Sequence, residues 1–342
     1  MFRHLAASLM ALAVVTVTPA EATPGLVPAA DRDVVFTADG TTAYGTLHVP
    51  EHRAGQRLPA ALLLPGSGPT DRDGNQPPGT APDTLAQVAD ALDGDGIATL
   101  RFDKYGTGRT GLGAYRDHPE ELDYPAFVRQ ARAAYESLRD QPETDPRALL
   151  VVGHSEGAMT GLLLGGTVRP RPTGLALLQP QAIRMLDLVA LQLKAQMAEA
   201  TRQGQFTPGQ ERAVNAAIDA AVVSLRESRP VETTDLPPTI AALFEAFQGP
   251  NARFVESDDA VHPPDAAAAL RPGTKVLLTC GTNDAQVPCV TTNALTTALR
   301  HAHAGGPGRV ILPGVDHLLH DADHPTTLAP RVLDALRRFA KH

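Results

Sequence analysis

The residues Gly153-His154-Ser155-Glu156-Gly157 form a G-x-S-x-G run. It follows the apolar stretch Leu149-Leu150-Val151-Val152 and precedes an apolar, small-residue stretch with helical character. That is a strand, a sharp turn and a helix, with a serine at the corner. Neither glycine carries a β-carbon, so strand and helix can close tightly and hold the serine in a strained backbone conformation with its hydroxyl exposed. The chemistry this suits is attack of Ser155 on an acyl carbon. A serine hydroxyl is a weak nucleophile and needs a base to take its proton. The base in turn needs a carboxylate to orient it, and the oxyanion that forms needs two N–H donors.

Candidates for these roles lie at the ends of other apolar runs. Gly281-Thr282-Asn283-Asp284 follows Lys275–Thr279, and Gly314-Val315-Asp316-His317 follows Arg309–Leu312. If the runs are parallel strands, Asp284 and His317 emerge at the same sheet edge as Ser155, in the order serine, acid, histidine. Rivals are weaker. Asp316 adjoins His317, and adjacent residues rarely orient each other in this manner; Asp258 and Asp259 follow no strand. His320 and His324 lie farther from the strand end, and His154, His301 and His303 fit surface or packing positions. One oxyanion donor is assigned to the Glu156 amide, directly after the serine. The other is assigned to the Ser67 amide, in the glycine-bearing loop Pro65–Asn75 after Ala60–Leu64.

The elements that must position these groups alternate. Asp33–Ala38 and Thr42–Val49 read as strands around the turn Asp39-Gly40. Ala60–Leu64, Ile97–Phe102, Ala148–Val152 and Leu175–Leu178 follow as strands. Between them come helices from Asp83, as N-cap, to Gly94, over Tyr124–Arg139 and over Glu156–Leu164. The pattern resumes late with strands Lys275–Thr279 and Arg309–Leu312 and helices Thr291–His303 and Thr327–Ala340. Such alternation predicts an α/β fold, a mainly parallel sheet flanked by helices. About 181–270 holds no convincing strand. It holds amphipathic helices over Met185–Gln203 and Gly209–Glu227, and reads as a helical cap inserted into one domain.

With these motifs in place, the chain over nearly all of 23–342 resembles the α/β-hydrolase superfamily. More narrowly it resembles bacterial serine esterases with a G-S-G-P-x-D-R-D loop, here Gly66–Asp73. Arg101-Phe102-Asp103-Lys104-Tyr105-Gly106-Thr107-Gly108, the G-H-S-E-G run and Gly281-Thr282-Asn283-Asp284 carry the same likeness. The resemblance implies an α/β-hydrolase fold, a Ser155–His317–Asp284 triad and hydrolysis of carboxylic esters without a cofactor. The chain departs from the commoner pattern at Pro65, where many relatives carry a histidine before the glycine. Two other readings stay open: a peptidase or amidase acting on small peptides, and a binding protein on a hydrolase fold.

Composition narrows the partners. Acidic residues number 38 against 30 Lys and Arg, aromatics are 4% and Trp is absent, which speaks against a nucleic-acid partner. Gly106-Thr107-Gly108-Arg109-Thr110-Gly111 spells G-x-G-x-x-G, but no helix pattern opens before about Tyr124, so it is not read as a dinucleotide loop. Asp71–Asn75 lacks the spacing and closing Glu of a calcium loop. The spacing of His317, His320, Asp321 and His324 fits no helical zinc motif. No metal or cofactor is therefore expected.

The N-terminus reads as an export signal over 1–22, with Arg3, an apolar run Leu5–Val17 and cleavage near Ala20-Glu21-Ala22. The run is too short to span a bilayer, and no stable membrane anchor is expected. An exported chain meets oxidising conditions, and its two cysteines, Cys280 and Cys289, can close a small disulfide ring if the loop between them turns back. The sequence leaves open the oligomeric state, the natural ester, and periplasm against extracellular medium.

Overall fold

The computed structural model describes residues 25–341. The expected export signal lies outside the described residues. The strands in chain order are β1 (Leu26–Val27), β2 (Ala30–Ala38), β3 (Thr41–Val49), β4 (His52–Arg53), β5 (Leu58–Leu64), β6 (Ala98–Phe102), β7 (Thr144–His154), β8 (Gly174–Leu178), β9 (Lys275–Gly281) and β10 (Gly305–Leu312). The α-helices are α1 (Thr84–Asp93), α2 (Tyr124–Arg139), α3 (Glu156–Thr167), α4 (Met185–Arg202), α5 (Pro208–Arg226), α6 (Pro238–Gln248), α7 (Ala252–Asp259), α8 (Pro263–Ala268), α9 (Asn293–His301) and α10 (Pro330–Lys341).

Eight strands form one sheet in the order β10-β9-β8-β7-β5-β6-β3-β2, and β1 pairs with β4 in a small separate ribbon. From β10 to β6 every pairing is parallel; β3 joins β6, and β2 joins β3, antiparallel. The β2–β3 turn has positive φ at both Asp39 and Gly40, as the Asp-Gly pair anticipates. The central strands are buried on both faces, which is why they read as unbroken apolar runs. Leu62, Val151, Leu177 and Leu278 pack on one side with α2, α3, α8 and α9. Leu63, Val152, Leu178 and Leu277 pack on the other with α1 and α10.

Several boundaries differ from expectation for local reasons. Asp83 precedes α1 in a left-handed conformation and makes no side-chain cap. Its carboxylate instead accepts from Asn75 Nδ2 at 2.7 Å, and the Asp73 carbonyl takes up the Leu85 amide of the helix start. The helix expected over Thr291–His303 is a short 3₁₀ turn, Cys289–Thr292, followed by α9. The insertion holds five helices rather than two, and α8 is not part of the cap: Ala267 and Leu270 sit in the sheet core. The cap proper is α4–α7. It has its own apolar cluster, with Leu193, Met197, Ile218 and Phe244 at its centre. It docks on α2 through Phe254, whose ring lies edge-on to Phe127 and Tyr124 at 5.5 and 6.1 Å. Among the described residues no helix is long and apolar enough to cross a membrane.

Candidate active site

Ser155 stands between β7 and α3 with φ 56° and ψ −120°, a conformation that costs a non-glycine residue energy unless its surroundings impose it. They do so here. Its amide donates to the Leu178 carbonyl at 2.9 Å, and its carbonyl accepts from the Ala158 and Gln181 amides at 3.0 and 3.1 Å. A β-carbon on Gly153 would strike the Gly157 carbonyl, and one on Gly157 would strike the Leu64 carbonyl. The two motif glycines are thus required by contact with the backbone.

Asp284, in the loop after β9, is buried. One carboxylate oxygen accepts from the Gln286 and Val287 amides at 2.9 and 2.7 Å; the other faces His317 Nδ1 at 2.9 Å. With an acceptor on that side, Nδ1 carries the proton and Nε2 is left to accept one. His317 and Ser155 line the same cavity, of about 480 Å³. Sequence proximity did not decide the partner: Asp316 Oδ1 accepts from the His320 amide at 2.9 Å, inside its own turn.

Two residues outside the expected catalytic set hold these loops. Gln179 has positive φ at the end of β8. Its Oε1 accepts from the Gly281 amide and its Nε2 donates to the Asp316 carbonyl, both at 3.0 Å, so one side chain ties the Asp284 loop to the His317 loop. His154 is buried, and its Nε2 lies 2.7 Å from the His317 carbonyl. Burial and the neighbouring His317 push its pKa down to about 3, so the ring is neutral and donates this bond. Of the alternatives for His154, surface or packing, the structure selects packing. Cys280 and Cys289 form a disulfide, Cα to Cα 5.2 Å, that brackets Asp284.

The loop after β5 reaches over Ser155. A β-carbon on Gly66 would lie 3.3 Å from Ser155 Cβ. Among the described residues, neither the Ser67 nor the Glu156 amide donates to a loop or side-chain acceptor. The loop's shape comes from crossed ion pairs between two motifs. Arg72 binds Asp103 through both Nε and Nη2, at 3.0 and 2.6 Å, while Arg101 binds Asp73 at 2.5 Å. Bidentate guanidinium–carboxylate pairing fixes orientation as well as distance. That explains why D-R-D and R-F-D occur together.

Comparison with known proteins matches this arrangement to a family. The model of the "Alpha/beta hydrolase family" matches residues 61–331. The chain belongs to the alpha/beta hydrolase family. Solved structures of similar fold include an esterase of Pyrococcus furiosus, with TM-score 0.59 and 14% identity over 92% of this chain and 90% of that one. Another is Est1E from Butyrivibrio proteoclasticus with bound ferulic acid, TM-score 0.54 and 18% identity over 90% and 97%. An uncharacterized protein of Mycobacterium tuberculosis is 30% identical over 151 residues, 44% of this chain and 46% of its own length. The matched region thus spans less than half of that curated relative.

In this alpha/beta hydrolase the cavity beside Ser155 has two kinds of wall. Leu122, Phe127, Leu188, Val189 and Phe254 give it an apolar side, largely from the cap. Lys104, Glu156 and Gln181, met by Asp258 from the cap, form a polar wall beside the serine. Asp258, set aside in the sequence as an acid partner, is bound by Gln181 Nε2 at 3.1 Å. Asp259 is held by Arg184 and Arg226 at 2.6 and 2.9 Å. His324 pairs with Asp321 at 2.8 Å. Among the described residues no group of three or more His, Cys, Asp and Glu side chains is arranged to hold a metal ion. The G-x-G-x-x-G loop wraps Asp103, which accepts from the Arg109 amide at 2.9 Å, and no α-helix opens between this loop and Tyr124.

Proposed function

We propose that this protein is an exported serine hydrolase that cleaves carboxylic esters through an acyl-enzyme. The observation that carries the reading is the Asp284 Oδ2 to His317 Nδ1 contact of 2.9 Å in a ring that shares its cavity with the strained Ser155. In this mechanism His317 Nε2 takes the Ser155 proton as Oγ attacks the ester carbonyl. Asp284 holds the tautomer and balances the imidazolium. The Ser67 and Glu156 amides receive the oxyanion, strengthened by the N-terminus of α3. Collapse expels the alcohol, protonated by His317, and water then releases the acid by the same steps. No step calls for a cofactor.

Support for an ester rather than a peptide comes from the apolar cap-side wall, which suits an acyl chain, and from an esterase and a protein with bound ferulic acid among the structures of similar fold. Export is supported by the N-terminal pattern and by a disulfide, which persists in oxidising compartments. The test is fluorophosphonate labelling of the protein beside Ser155→Ala, with the adduct located by peptide mass mapping, and parallel assays of fatty-acyl esters and aminoacyl anilides. Labelling at Ser155 alone with ester turnover is expected. Preferential anilide cleavage would replace the esterase reading by the peptidase one. No labelling of the folded protein would favour a binding role.

A further inference from the structure

Lys104 follows β6 and is almost wholly buried at the floor of the cavity. Its Nζ donates to the Gly66 carbonyl at 2.5 Å. Its nearest carboxylate, Glu156 Oε1, lies 3.8 Å away, an ion pair without a close hydrogen bond. Asp258, from the cap, completes the cluster with Oδ2 buried and unpartnered. As a contribution to stability this is a poor arrangement. Taking an ammonium and a carboxylate out of water costs several kcal/mol per ion, and a loose pair does not recover it. A methionine would fill the same space more cheaply. The cluster therefore calls for a functional account.

The geometry supplies one. Gly66 C=O and Ser67 N–H belong to the same peptide group. An ammonium on the oxygen side polarises that group and fixes its plane, which makes the N–H on the other side a stronger and better-aimed donor. The second uncommitted amide beside Ser155 is that of Glu156, and the Glu156 side chain is the partner of Lys104. One ion pair thus links the two amides. We propose that Lys104 is a positioning residue for the oxyanion site, holding the Gly66–Ser67 peptide through its carbonyl while neutralising the Glu156 carboxylate that would otherwise oppose the developing negative charge. The inference rests on the serine hydrolase reading above.

The charged and titratable groups that face Lys104 are Glu156 on α3 and Asp258 on α7, with the Phe127 ring on α2 at 5.8 Å and the Tyr124 hydroxyl on the same helix near both acids. Burial pushes the Lys104 ammonium below its ordinary value, and Glu156 and Asp258 partly restore it. Activity should therefore fall at alkaline pH as Lys104 loses its proton. Removing the Glu156 charge should move that limb to lower pH.

The experiment compares wild type with Lys104→Met and Glu156→Gln, using a short-chain p-nitrophenyl ester and an alkyl trifluoromethyl ketone, which adds to a serine as a tetrahedral oxyanion. Loss of one oxyanion donor costs about 10²–10³-fold in kcat, so weakening one should cost about 10- to 100-fold. Lys104→Met is expected to lower kcat by that factor with KM changed less than about 3-fold, and to lose ketone affinity in parallel, as a transition-state effect requires. Unchanged kcat and ketone affinity in folded Lys104→Met would overturn the inference while leaving the hydrolase reading intact. So would a fall in kcat with full ketone affinity. If Lys104→Met does not fold, Glu156→Gln decides: an alkaline limb shifted to lower pH supports the role, and an unmoved limb overturns it. Wild type that neither turns over ester nor labels with fluorophosphonate would instead remove the hydrolase reading itself.

Discussion

The floor of the cavity and its roof are built on different principles. The floor groups, Ser155, Asp284 and His317, sit on short loops at the ends of β7, β9 and β10, and each is held by backbone contacts or buried side-chain bonds. The roof is four helices with an apolar cluster of their own, tied to one another by Arg184 and Arg226 around Asp259, and resting on α2 through Phe254 and on the loop after β9 through Gln192, whose Nε2 donates to the Gln286 carbonyl. The floor must fix atoms to fractions of an ångström, which sheet-end loops do because the strands beneath them cannot slide. The roof only has to shape a volume, which helical packing does while tolerating change. Under the proposed function, the floor governs rate whatever the acyl chain, and the roof governs which chain is taken.

The strongest break in that comparison is on the floor. Ser155→Ala should lower kcat by about 10⁶-fold for every ester tried. Asp284→Asn, which leaves the shape but presents the wrong tautomer to His317, should lower it about 10⁴-fold. Steady-state assays over a series of acyl lengths check both, and a loss confined to one length would contradict the division of labour.

On the roof, Leu188→Trp should shorten the cavity. The expected result is an unchanged rate for the acetyl ester and a loss of about 10- to 200-fold in kcat/KM for each long chain the tryptophan displaces, the range set by one or two methylenes in an apolar pocket. A uniform loss across lengths would place Leu188 in the floor's function.

Acid should separate the regions physically. Burial alone would raise the Asp259 carboxyl, but the hydrogen bonds of Arg226 and of the Leu186 amide, with the charges of Arg226 and Arg184, hold it below the ordinary carboxylate range. A depressed folded-state pKa gives stability that is fully present above the unfolded value, about 4, and is lost as pH falls through the folded one. Hydrogen exchange should therefore quicken in α4 and α7 below about pH 4, before it does in β7 and α3. Simultaneous loss in both regions would show that the cap has no separate stability.

The smallest effect is expected from reduction of Cys280–Cys289. The bridge closes a short loop, so its loss should lower the thermal midpoint by a few degrees. Activity should be mostly retained, because Gln179 still ties the Asp284 loop to the His317 loop. A midpoint and rate both unmoved by reductant would remove the disulfide from the account of the acid loop.

Much of the floor was legible in the chain because its demands are local. A serine elbow needs small residues at fixed offsets, and buried parallel strands read as apolar runs, so Gly153–Gly157, Asp284 and His317 could be found by position relative to strand ends. The roof was legible only in part. Two long amphipathic helices were visible in the 181–270 stretch, but α6 and α7 are short and α8 joins the core, a destination set by contacts with α3 and α9 that leave no periodic trace. Gln179 carried no signal, and His154 and Lys104, though they stand inside motif runs, gave no sign of what they bind, since a polar residue after an apolar run has many possible partners.

By itself, then, the sequence determined the order and type of the core elements and the residues at their ends able to do acyl chemistry, because strand burial and elbow sterics act over a few neighbouring positions. Only the tertiary structure decided which of those groups meet. It paired Arg72 with Asp103 and Arg101 with Asp73 across two loops, set the Gln179 side chain between two others, and placed Lys104 behind the Gly66–Ser67 peptide. Such contacts join residues tens to more than a hundred positions apart, and their energies come from desolvated charge and buried hydrogen bonds that exist only once the chain has closed around them.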